Sequence, residues 1–227
     1  MSELYKKRLK AARWTKGASS SVIYRMLLAA ADGLLEPGAQ VLEFGAGTGS
    51  LITMLGEAGF RGEFTGADIL PKPAAFGPEI RWIEGDLNEP LPLAAGSFDA
   101  IVSTEVIEHL ENPHAVFREF ERLLRAGGVL LLTTPNQESL RSILSLWFRG
   151  HHVAFLDGSY PAHITPLVRM DLTRLCAEHG FAAPEFRYTN AGGVPGAPAI
   201  SWQQVSAGLL KGRRFSDNLG MISRRLG

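Results

Sequence analysis

The sequence lacks the defining features of several protein classes. Its single cysteine, Cys176, excludes an intrachain disulfide framework and a zinc site built from several cysteines. No run of about 18 apolar residues is present, so no segment is predicted to span a bilayer. The basic residues 6–8 precede an apolar stretch that Arg25 interrupts, which argues against a secretory signal. We therefore expect a cytoplasmic protein with one principal domain.

The sequence also lacks net charge, since 23 Lys and Arg balance 23 Asp and Glu. The balance is uneven along the chain. Residues 1–25 hold seven basic side chains and one acidic one, and residues 201–227 hold five and one. The basic ends either contact an anionic partner or complement the acidic middle. A dedicated nucleic-acid-binding domain would be basic overall, so we expect no nucleic-acid partner.

Strand and helix patterns alternate over the first two thirds of the chain. Residues 51–58 show the spacing of a packed helix, and Asn112 with Pro113 predicts the start of another that Gly127 and Gly128 end. Short apolar runs predict strands at residues 41–44, 63–67, 80–83, 98–103 and 129–132. Such alternation is typical of a parallel sheet with helices on both faces.

The pattern changes after Asn136. We predict a helix over residues 139–148, a helix from Thr165 to Gly180, and strands at 185–189 and 219–223. Residues 149–164 form an irregular insertion. The predicted organisation is an N-terminal helical extension over residues 1–35 and a domain over residues 36–227.

A glycine-rich turn follows the first predicted strand at residues 45–49. A dinucleotide-binding fingerprint would place its third glycine at position 50, which is Ser50 here. Asp68 and Asp86 end the next two strands, where a carboxylate can accept ribose hydroxyls or an exocyclic amine. No Lys or Arg lies between residues 41 and 60, so the pattern favours a positively charged nucleoside over a phosphate.

Several motifs carry a family resemblance. They are Val-Leu-Glu-Phe-Gly-Ala-Gly-Thr-Gly at 41–49, Gly-Ala-Asp at 66–68, Gly-Asp-Leu at 85–87 and Glu-Val-Ile-Glu-His-Leu-Glu-Asn-Pro at 105–113. Over residues 38–136 the chain resembles class I S-adenosylmethionine-dependent methyltransferases. The resemblance implies a three-layer, Rossmann-like, doubly wound sheet of seven strands, mostly parallel with the last strand antiparallel. One departure is Pro-Lys-Pro at 71–73, which predicts a shortened helix after the second strand.

The resemblance also implies S-adenosyl-L-methionine as the cofactor and places its site. The glycine turn would line the methionine and ribose, Asp68 would hold the ribose hydroxyls, and Asp86 with Leu87 would meet the adenine. The implied cofactor-binding residues are Glu43, Gly45, Ala46, Gly47, Gly49, Asp68, Ile69, Asp86, Leu87, Thr104 and Glu105.

His109 is the candidate catalytic residue, because an imidazole can remove the proton of an acceptor hydroxyl near neutral pH. Alternatively, it orients the helix that follows. Glu105 and Glu108 share a helical face with His109, and a further histidine among His151, His152 and His163 could complete a metal site. That arrangement resembles metal-assisted RNA 3′-terminal 2′-O-methyltransferases. We assign no metal ligand from the sequence.

The segment at residues 161–167 resembles methyltransferases that act on small molecules or glycans. We therefore predict methyl transfer to a small-molecule or a lipid- or sugar-linked acceptor, at oxygen. The alternatives are the RNA enzyme, a nicotinamide-dependent oxidoreductase and a non-catalytic cofactor-binding subunit. Cys176 is predicted to be buried. Spaced aromatic residues either line an acceptor pocket or belong to the core: Trp147, Phe148, Phe155 and Tyr160.

Overall fold

A computed structural model describes residues 3–15 and 17–227. Two helices precede the first strand, and strands and helices then alternate. The helices are α1 (Glu3–Thr15), α2 (Ser21–Ala31), α3 (Ser50–Glu57), α4 (Pro113–Leu123), α5 (Leu140–Arg149), α6 (Arg169–Glu178) and α7 (Trp202–Val205). The strands are β1 (Gln40–Phe44), β2 (Glu63–Asp68), β3 (Arg81–Glu84), β4 (Phe98–Thr104), β5 (Leu124–Pro135), β6 (Glu185–Tyr188), β7 (Gly193–Val194), β8 (Ala197–Ser201) and β9 (Asn218–Arg224).

Seven of these strands form one sheet in the order β3-β2-β1-β4-β5-β9-β6. The strands from β3 to β5 pair in parallel, and β9 is antiparallel to both of its neighbours, β5 and β6. The topological switch point lies between β1 and β4: strands β2 and β3 are added on one side of β1, and the chain then crosses to its other side for β4 and β5. This topology confirms the predicted doubly wound sheet with its last strand antiparallel. Strands β7 and β8 form a separate hairpin that the sequence patterns did not predict.

The apolar runs form strands because both faces of the sheet are covered. One face packs against α4 and α6, including Phe117 and Leu172, and the other packs against α2 and α3, including Leu27 and Leu51. Leu42 in β1 contributes to the first of these two cores and is fully buried. Continuous apolar strands are expected where helices cover both sides of a sheet. Among the described residues, no helix is both long and apolar enough to cross a membrane.

Helix α4 begins as predicted and ends earlier. The side chain of Asn112 accepts a hydrogen bond from the amide of Ala115, and Pro113 occupies the first turn. The expected stop at Gly127 and Gly128 is wrong, because the helix ends at Leu123 and β5 already includes both glycines. The amide of Gly127 instead donates to the carbonyl of Arg225, and the carbonyl of Gly128 accepts from the amide of Arg225, which joins the start of β5 to the C-terminal segment.

Two other segments differ from the sequence patterns. Helix α6 begins at Arg169, four residues after the predicted start at Thr165, because the amides of Ile164 and Thr165 both donate to the carbonyl of Glu108. Residues 69–80 contain no helix, whereas a shortened one was expected. Lys72 holds this loop by donating to the carbonyls of its own C-terminal half.

Candidate active site

The glycine turn after β1 requires glycine for two reasons. Gly45, Gly47 and Gly49 have φ angles of 85°, 51° and 72°, in the left-handed region. A Cβ atom at Gly45 would lie 2.2 Å from a methyl of Val106, and one at Gly47 would lie 2.1 Å from the carbonyl oxygen of Gly17. The turn is therefore bare main chain, held closely between β4 and the N-terminal segment.

Asp68 links the end of β2 to this turn. Its Oδ2 accepts a hydrogen bond of 2.7 Å from the amide of Gly47, and its Oδ1 accepts one of 2.8 Å from the amide of Leu70. Burial raises the pKa of Asp68 above its usual value, while the amide donors oppose the shift. Each oxygen retains a lone pair, so the carboxylate can accept further hydrogen bonds at the same place.

Asp86 follows β3 and is already engaged by a residue far away in the sequence. Its Oδ2 accepts a hydrogen bond of 2.8 Å from Arg8 in α1, and its Oδ1 accepts from Asn88. Burial raises the pKa of Asp86, but the bonds from Asn88 and the charge of Arg8 outweigh it and lower the pKa below its usual value. Arg8 also pairs with Glu111. The ion pairs of Arg8 with Asp86 and Glu111 show that the basic N-terminal end of the chain complements acidic residues from its middle part.

A cavity of about 370 Å³ opens at the carboxyl ends of β1, β2 and β4. Seven residues of the predicted cofactor set line it: Gly45, Asp68, Ile69, Asp86, Leu87, Thr104 and Glu105. Four do not: Glu43, Ala46, Gly47 and Gly49. The candidate catalytic residue, His109, also lines it. Two further parts of the cavity wall were not predicted from the sequence. One is formed by Arg8 and residues 17–20, and the other by residues 161–163.

Glu43 lies behind the cavity, within β1. It is buried, its Oε2 has no hydrogen-bond partner, and its pKa is raised to about 8. Burial is the largest cause, the amide of Ile52 opposes it, and the charge of Asp68 adds to it. Burial therefore favours the protonated, uncharged form of this acid beside the glycine turn.

Two more acids follow the end of β4, the half-buried Glu105 and the buried Glu108. Glu105 has a φ of 54°, and its Oε2 accepts a hydrogen bond of 2.7 Å from Asn218. The Oε2 of Glu108 accepts one of 3.1 Å from Thr134. The Oε1 atoms of both acids have no partner. Burial raises the pKa of Glu108 to about 8, and burial together with the charge of Glu108 raises that of Glu105.

His109 ends the 3₁₀ turn Ile107–His109, and its ring lies against a second histidine. The Nδ1 of His109 is 2.7 Å from the carbonyl oxygen of Ala162, and its ring centroid is 4.7 Å from that of His163. A carbonyl only accepts, so Nδ1 carries the proton of the neutral ring, and the carbonyl of Glu105 is a second acceptor beside the imidazole. Burial lowers the pKa of His109, which favours the neutral ring.

The three histidines left open by the sequence have different places. His163 reaches His109, and together with Glu108 they bring one possible ligand atom each to within 4.8 Å of one another. His152 contacts Ser142 at 3.0 Å instead, and His151 contacts the carbonyl of His152. The structure therefore brings only His163 of this set to the predicted catalytic residue.

The predicted aromatic residues do not follow either expectation as a group. Trp147, Phe148 and Tyr160 are 78%, 76% and 70% exposed, so they belong neither to the core nor to the cavity wall. Phe155 lies beside the ring of His163, with centroids 5.5 Å apart. Cys176 is fully buried, as predicted, and burial raises its thiol pKa to about 11.

The fold and this site define a nucleoside-binding α/β protein, with acidic strand ends around a glycine turn at the topological switch point. The sequence profile of the methyltransferase domain family matches residues 16–184. The chain belongs to this family, and the class I resemblance seen in its motifs is confirmed. The cofactor of the class is S-adenosylmethionine.

The individual relatives have low sequence identity to this chain. The chain is 28% identical over 161 residues to the malonyl-[acyl-carrier protein] O-methyltransferase of Laribacter hongkongensis, covering 64% of this chain and 52% of that protein. It is 32% identical over 112 residues to the ubiquinone biosynthesis O-methyltransferase of Xanthomonas axonopodis pv. citri, covering 45% and 46%. The chain therefore spans about half the length of these curated relatives.

A solved structure shares the fold. The Burkholderia thailandensis 1,6-didemethyltoxoflavin-N1-methyltransferase, bound to its substrate and S-adenosylhomocysteine, superposes with a TM-score of 0.60 at 15% identity. The superposition covers 94% of this chain and 81% of that one. At this identity the likeness shows the architecture alone.

Proposed function

We propose that this chain is an S-adenosylmethionine-dependent O-methyltransferase with a small-molecule or a lipid- or sugar-linked acceptor. One observation carries the proposal: a single cavity is lined both by Asp68, which is tied to the glycine turn, and by His109. Cofactor-holding and proton-accepting groups thus face the same space. The names of the two curated relatives, both O-methyltransferases, support oxygen as the nucleophile.

The residues at the cavity fit the cofactor. Asp68 offers free lone pairs to the ribose hydroxyls, and the main chain at Gly45 allows close approach. Glu105 lines the same cavity, and its carboxylate, when ionised, favours a ligand with positive charge. The volume of about 370 Å³ falls within the usual range of small-ligand sites, about 300–1,000 Å³. When bound, S-adenosylmethionine supplies the methyl group of its sulfonium.

His109 is the proposed catalytic residue. Its Nε2 lone pair can take the proton of an acceptor hydroxyl, because the Nδ1 proton is held by the carbonyl of Ala162. The wall at residues 161–163 would hold that hydroxyl beside it. Positioning of this kind can supply about 7–11 kcal/mol of rate enhancement, so we assign the walls a larger role than the proton transfer.

The proposed adenine contact of Asp86 competes with Arg8. Both Asp86 oxygens already accept hydrogen bonds, from Arg8 and from Asn88. An exocyclic amine that reaches Oδ2 must share this oxygen with the guanidinium or displace it. Leu87 lines the cavity beside Asp86 and offers an apolar surface to the base.

The domain division and the location belong to the same proposal. Helices α1 and α2 precede β1, which supports an extension over residues 1–35. Residues 149–164 hold only a 3₁₀ turn after the end of α5, which supports an insertion there. A single free cysteine is typical of a reducing compartment and supports the cytoplasm.

The first test is calorimetric titration with S-adenosylhomocysteine, followed by transfer of labelled methyl groups into extract fractions. We expect Asp68→Ala to weaken binding by about 1–3 kcal/mol, because the ribose hydroxyls lose their acceptor. Asp99→Ala is the matched control. Asp99 also accepts a backbone amide, that of Gln40, but it does not line the cavity.

The outcomes separate the alternatives. Absence of saturable binding to the wild-type chain, or equal affinity in the wild-type and Asp68→Ala proteins, would contradict the cofactor assignment. Label found in RNA rather than in small molecules or lipids would replace the proposed acceptor with the RNA alternative. Thermal melts of both variants establish that the proteins compared are folded.

A further inference from the structure

Three possible metal ligands lie together on the surface where α4 and α6 meet, and we call them the α4–α6 cluster. His114 is in the first turn of α4, Glu178 is the last residue of α6, and His179 follows as its C-cap. One ring nitrogen of each histidine and one carboxylate oxygen of Glu178 all lie within 4.8 Å of one another. These residues do not line the proposed cofactor cavity, so the cluster is separate from the proposed active site.

The separations within the cluster are close to those around a metal ion. The Nδ1 of His114 lies 3.1 Å from the Nε2 of His179 and 3.5 Å from the Oε2 of Glu178. Ligand atoms around a tetrahedral ion lie about 3.3–3.6 Å apart, because bonds from zinc to nitrogen and oxygen are about 2.0–2.2 Å long. Small side-chain rotations are therefore enough to place an ion between the three atoms.

A hydrogen bond between the two rings accounts for only part of this arrangement. In the contact of 3.1 Å one ring nitrogen donates and the other accepts, which describes the metal-free state. That bond does not require the carboxylate of Glu178, which also approaches the Nδ1 of His114. Each neutral ring can carry its proton on its other nitrogen instead, the Nε2 of His114 and the Nδ1 of His179. Both facing nitrogens then offer lone pairs, and a cation is the partner that suits them together with a carboxylate.

The charges around His179 favour the neutral ring, which is the form that binds a metal. Burial and the charges of His114 and Arg118 lower the pKa of His179. The carboxylates of Glu178 and Glu121 act in the opposite direction. The C-terminal end of α6 carries the negative end of its helix dipole, which attracts a cation, whereas the N-terminal turn of α4 opposes this attraction.

Both helices hold their ligands on packed parts of the structure. The turn that contains His114 is capped by the side chain of Asn112, which accepts the amide of Ala115. The ring centroid of His179 lies 6.4 Å from that of Phe117, which is fully buried in the core. Ligands on rigid elements lose less conformational freedom when they bind an ion, so this placement favours binding.

We propose that His114, Glu178 and His179 bind one divalent transition-metal ion that joins α4 to α6. Two imidazoles and a carboxylate suit Zn²⁺, Co²⁺ or Ni²⁺ better than Mg²⁺ or Ca²⁺, which prefer oxygen ligands. The side chains of His114 and Glu178 are 53% and 57% exposed, so water can complete the coordination. Because the ligands come from two helices that meet only in the folded chain, the ion stabilises the folded state. The proposal does not depend on the proposed function.

The test measures Zn²⁺ binding to the chelator-treated full chain, with neither cofactor nor acceptor present. Glu108, His109 and His163 also bring possible ligand atoms together at the cavity, so the assignment depends on the difference between variants and not on the total number of ions bound. In equilibrium dialysis we expect the variants of the α4–α6 cluster described next to lose one equivalent of Zn²⁺ relative to the wild type.

His114→Ala and His179→Ala should each lose that equivalent. Glu178→Gln should weaken binding at this site by about 10–100-fold or more, since loss of an outer-shell partner alone costs that much. His151→Ala is the matched control, because the ring of His151 contacts the carbonyl of His152 and lies outside the cluster. It should keep the stoichiometry of the wild type. Zn²⁺ should also raise the melting temperature of the wild type and of His151→Ala more than that of His114→Ala.

A further measurement needs no variant. Nitrogen-15 NMR of the imidazole rings should show the Nδ1 of His114 and the Nε2 of His179 shifting as Zn²⁺ is added, with the ring protons on the other two nitrogens. Shifts at the opposite nitrogens would contradict the proposed geometry.

The site is wrong if His114→Ala and His179→Ala bind as many equivalents of Zn²⁺ as His151→Ala. It is also wrong if the lost equivalent appears only at millimolar Zn²⁺, since this would mean adventitious binding to exposed histidines. Titration of S-adenosylhomocysteine into the same variants should match the wild type. Failure of the metal site therefore leaves the proposed function untouched, and failure of the cofactor titration leaves the metal site untouched.

Discussion

The interior of the sheet and its carboxyl edge use buried positions in opposite ways. In the interior, Leu42 and Leu130 are fully buried among apolar neighbours and lie in strands that are paired on both sides. At the edge, the buried Glu43 and Ser103 and the half-buried Glu105 each have a buried side-chain oxygen without a partner. Unpaired buried polar atoms lower stability, so the edge carries a cost that the interior avoids. The comparison identifies the part of the molecule whose side chains are arranged for a ligand.

The largest expected effect on stability concerns Glu43. Its folded pKa of about 8 lies above the value of 4.5 for an unperturbed Glu, so the folded state favours the neutral acid. The contribution of neutral Glu43 to the free energy of unfolding is present in full below pH 4.5, and it is lost as the pH rises through 8. Glu43 alone should lower wild-type stability by about 1.4 kcal/mol per pH unit in this window, up to about 5 kcal/mol in total, in addition to the share of Glu108.

Glu43→Gln removes this titration alone, so we expect the free energy of unfolding of the variant to fall less steeply with pH than that of the wild type, the remaining slope coming from Glu105 and Glu108. Urea denaturation at pH 5, 6, 7 and 8 compares the two proteins. Parallel pH profiles would show that Glu43 is not buried as an uncharged acid, and the contrast between edge and interior would be weaker.

A change in the interior should behave differently. Leu130→Ala creates a cavity in β5 and should lower stability by about 2–5 kcal/mol. This loss should be equal at pH 5 and pH 8, because no titrating group is involved. Denaturation at both pH values measures it. A loss that depends strongly on pH would mean that the core and the edge are coupled.

The smallest effect distinguishes two buried serines. The Oγ of Ser103 has no partner, whereas the Oγ of Ser223 donates a 2.7 Å hydrogen bond to the carbonyl of Ala182. Ser103→Ala should be neutral or slightly stabilising in the ligand-free protein, and Ser223→Ala should cost about 1 kcal/mol. Equal losses in urea melts of the two variants would contradict the assignment of Ser103 as unpaired.

The sequence predicted the strands well and the long-range contacts poorly. The starts of β1, β2, β4 and β9 fall within one residue of the prediction. A strand that is covered on both faces has an apolar run in its own sequence, so it can be recognised without knowing its neighbours. The start of α6 was misplaced, since the carbonyl of Glu108 binds the amides of residues 164 and 165 and keeps that segment extended. The sequence around residues 164–169 gives no sign of Glu108, because that partner lies far away in the chain.

The same limit applies to the site. Strand ends and glycines placed Gly45 and Asp68 at the cavity, because topology alone brings the ends of parallel strands together. The choice of His163 over His151 and His152 depends on the path of an irregular segment. The contact of Arg8 with Asp86 joins residues 78 positions apart, and the uneven charge of the chain was its only sign.

The close approach of Gly17 to the glycine turn has a consequence for ligand entry. The carbonyl of Gly17 occupies the space where a side chain at Gly47 would lie, so the turn is covered from that direction. A molecule arriving from that side meets the main chain at Gly17 before it reaches Gly47. Because residues 17–20 also line the cavity, changes in this short segment should alter both access to the turn and the surroundings of the ligand.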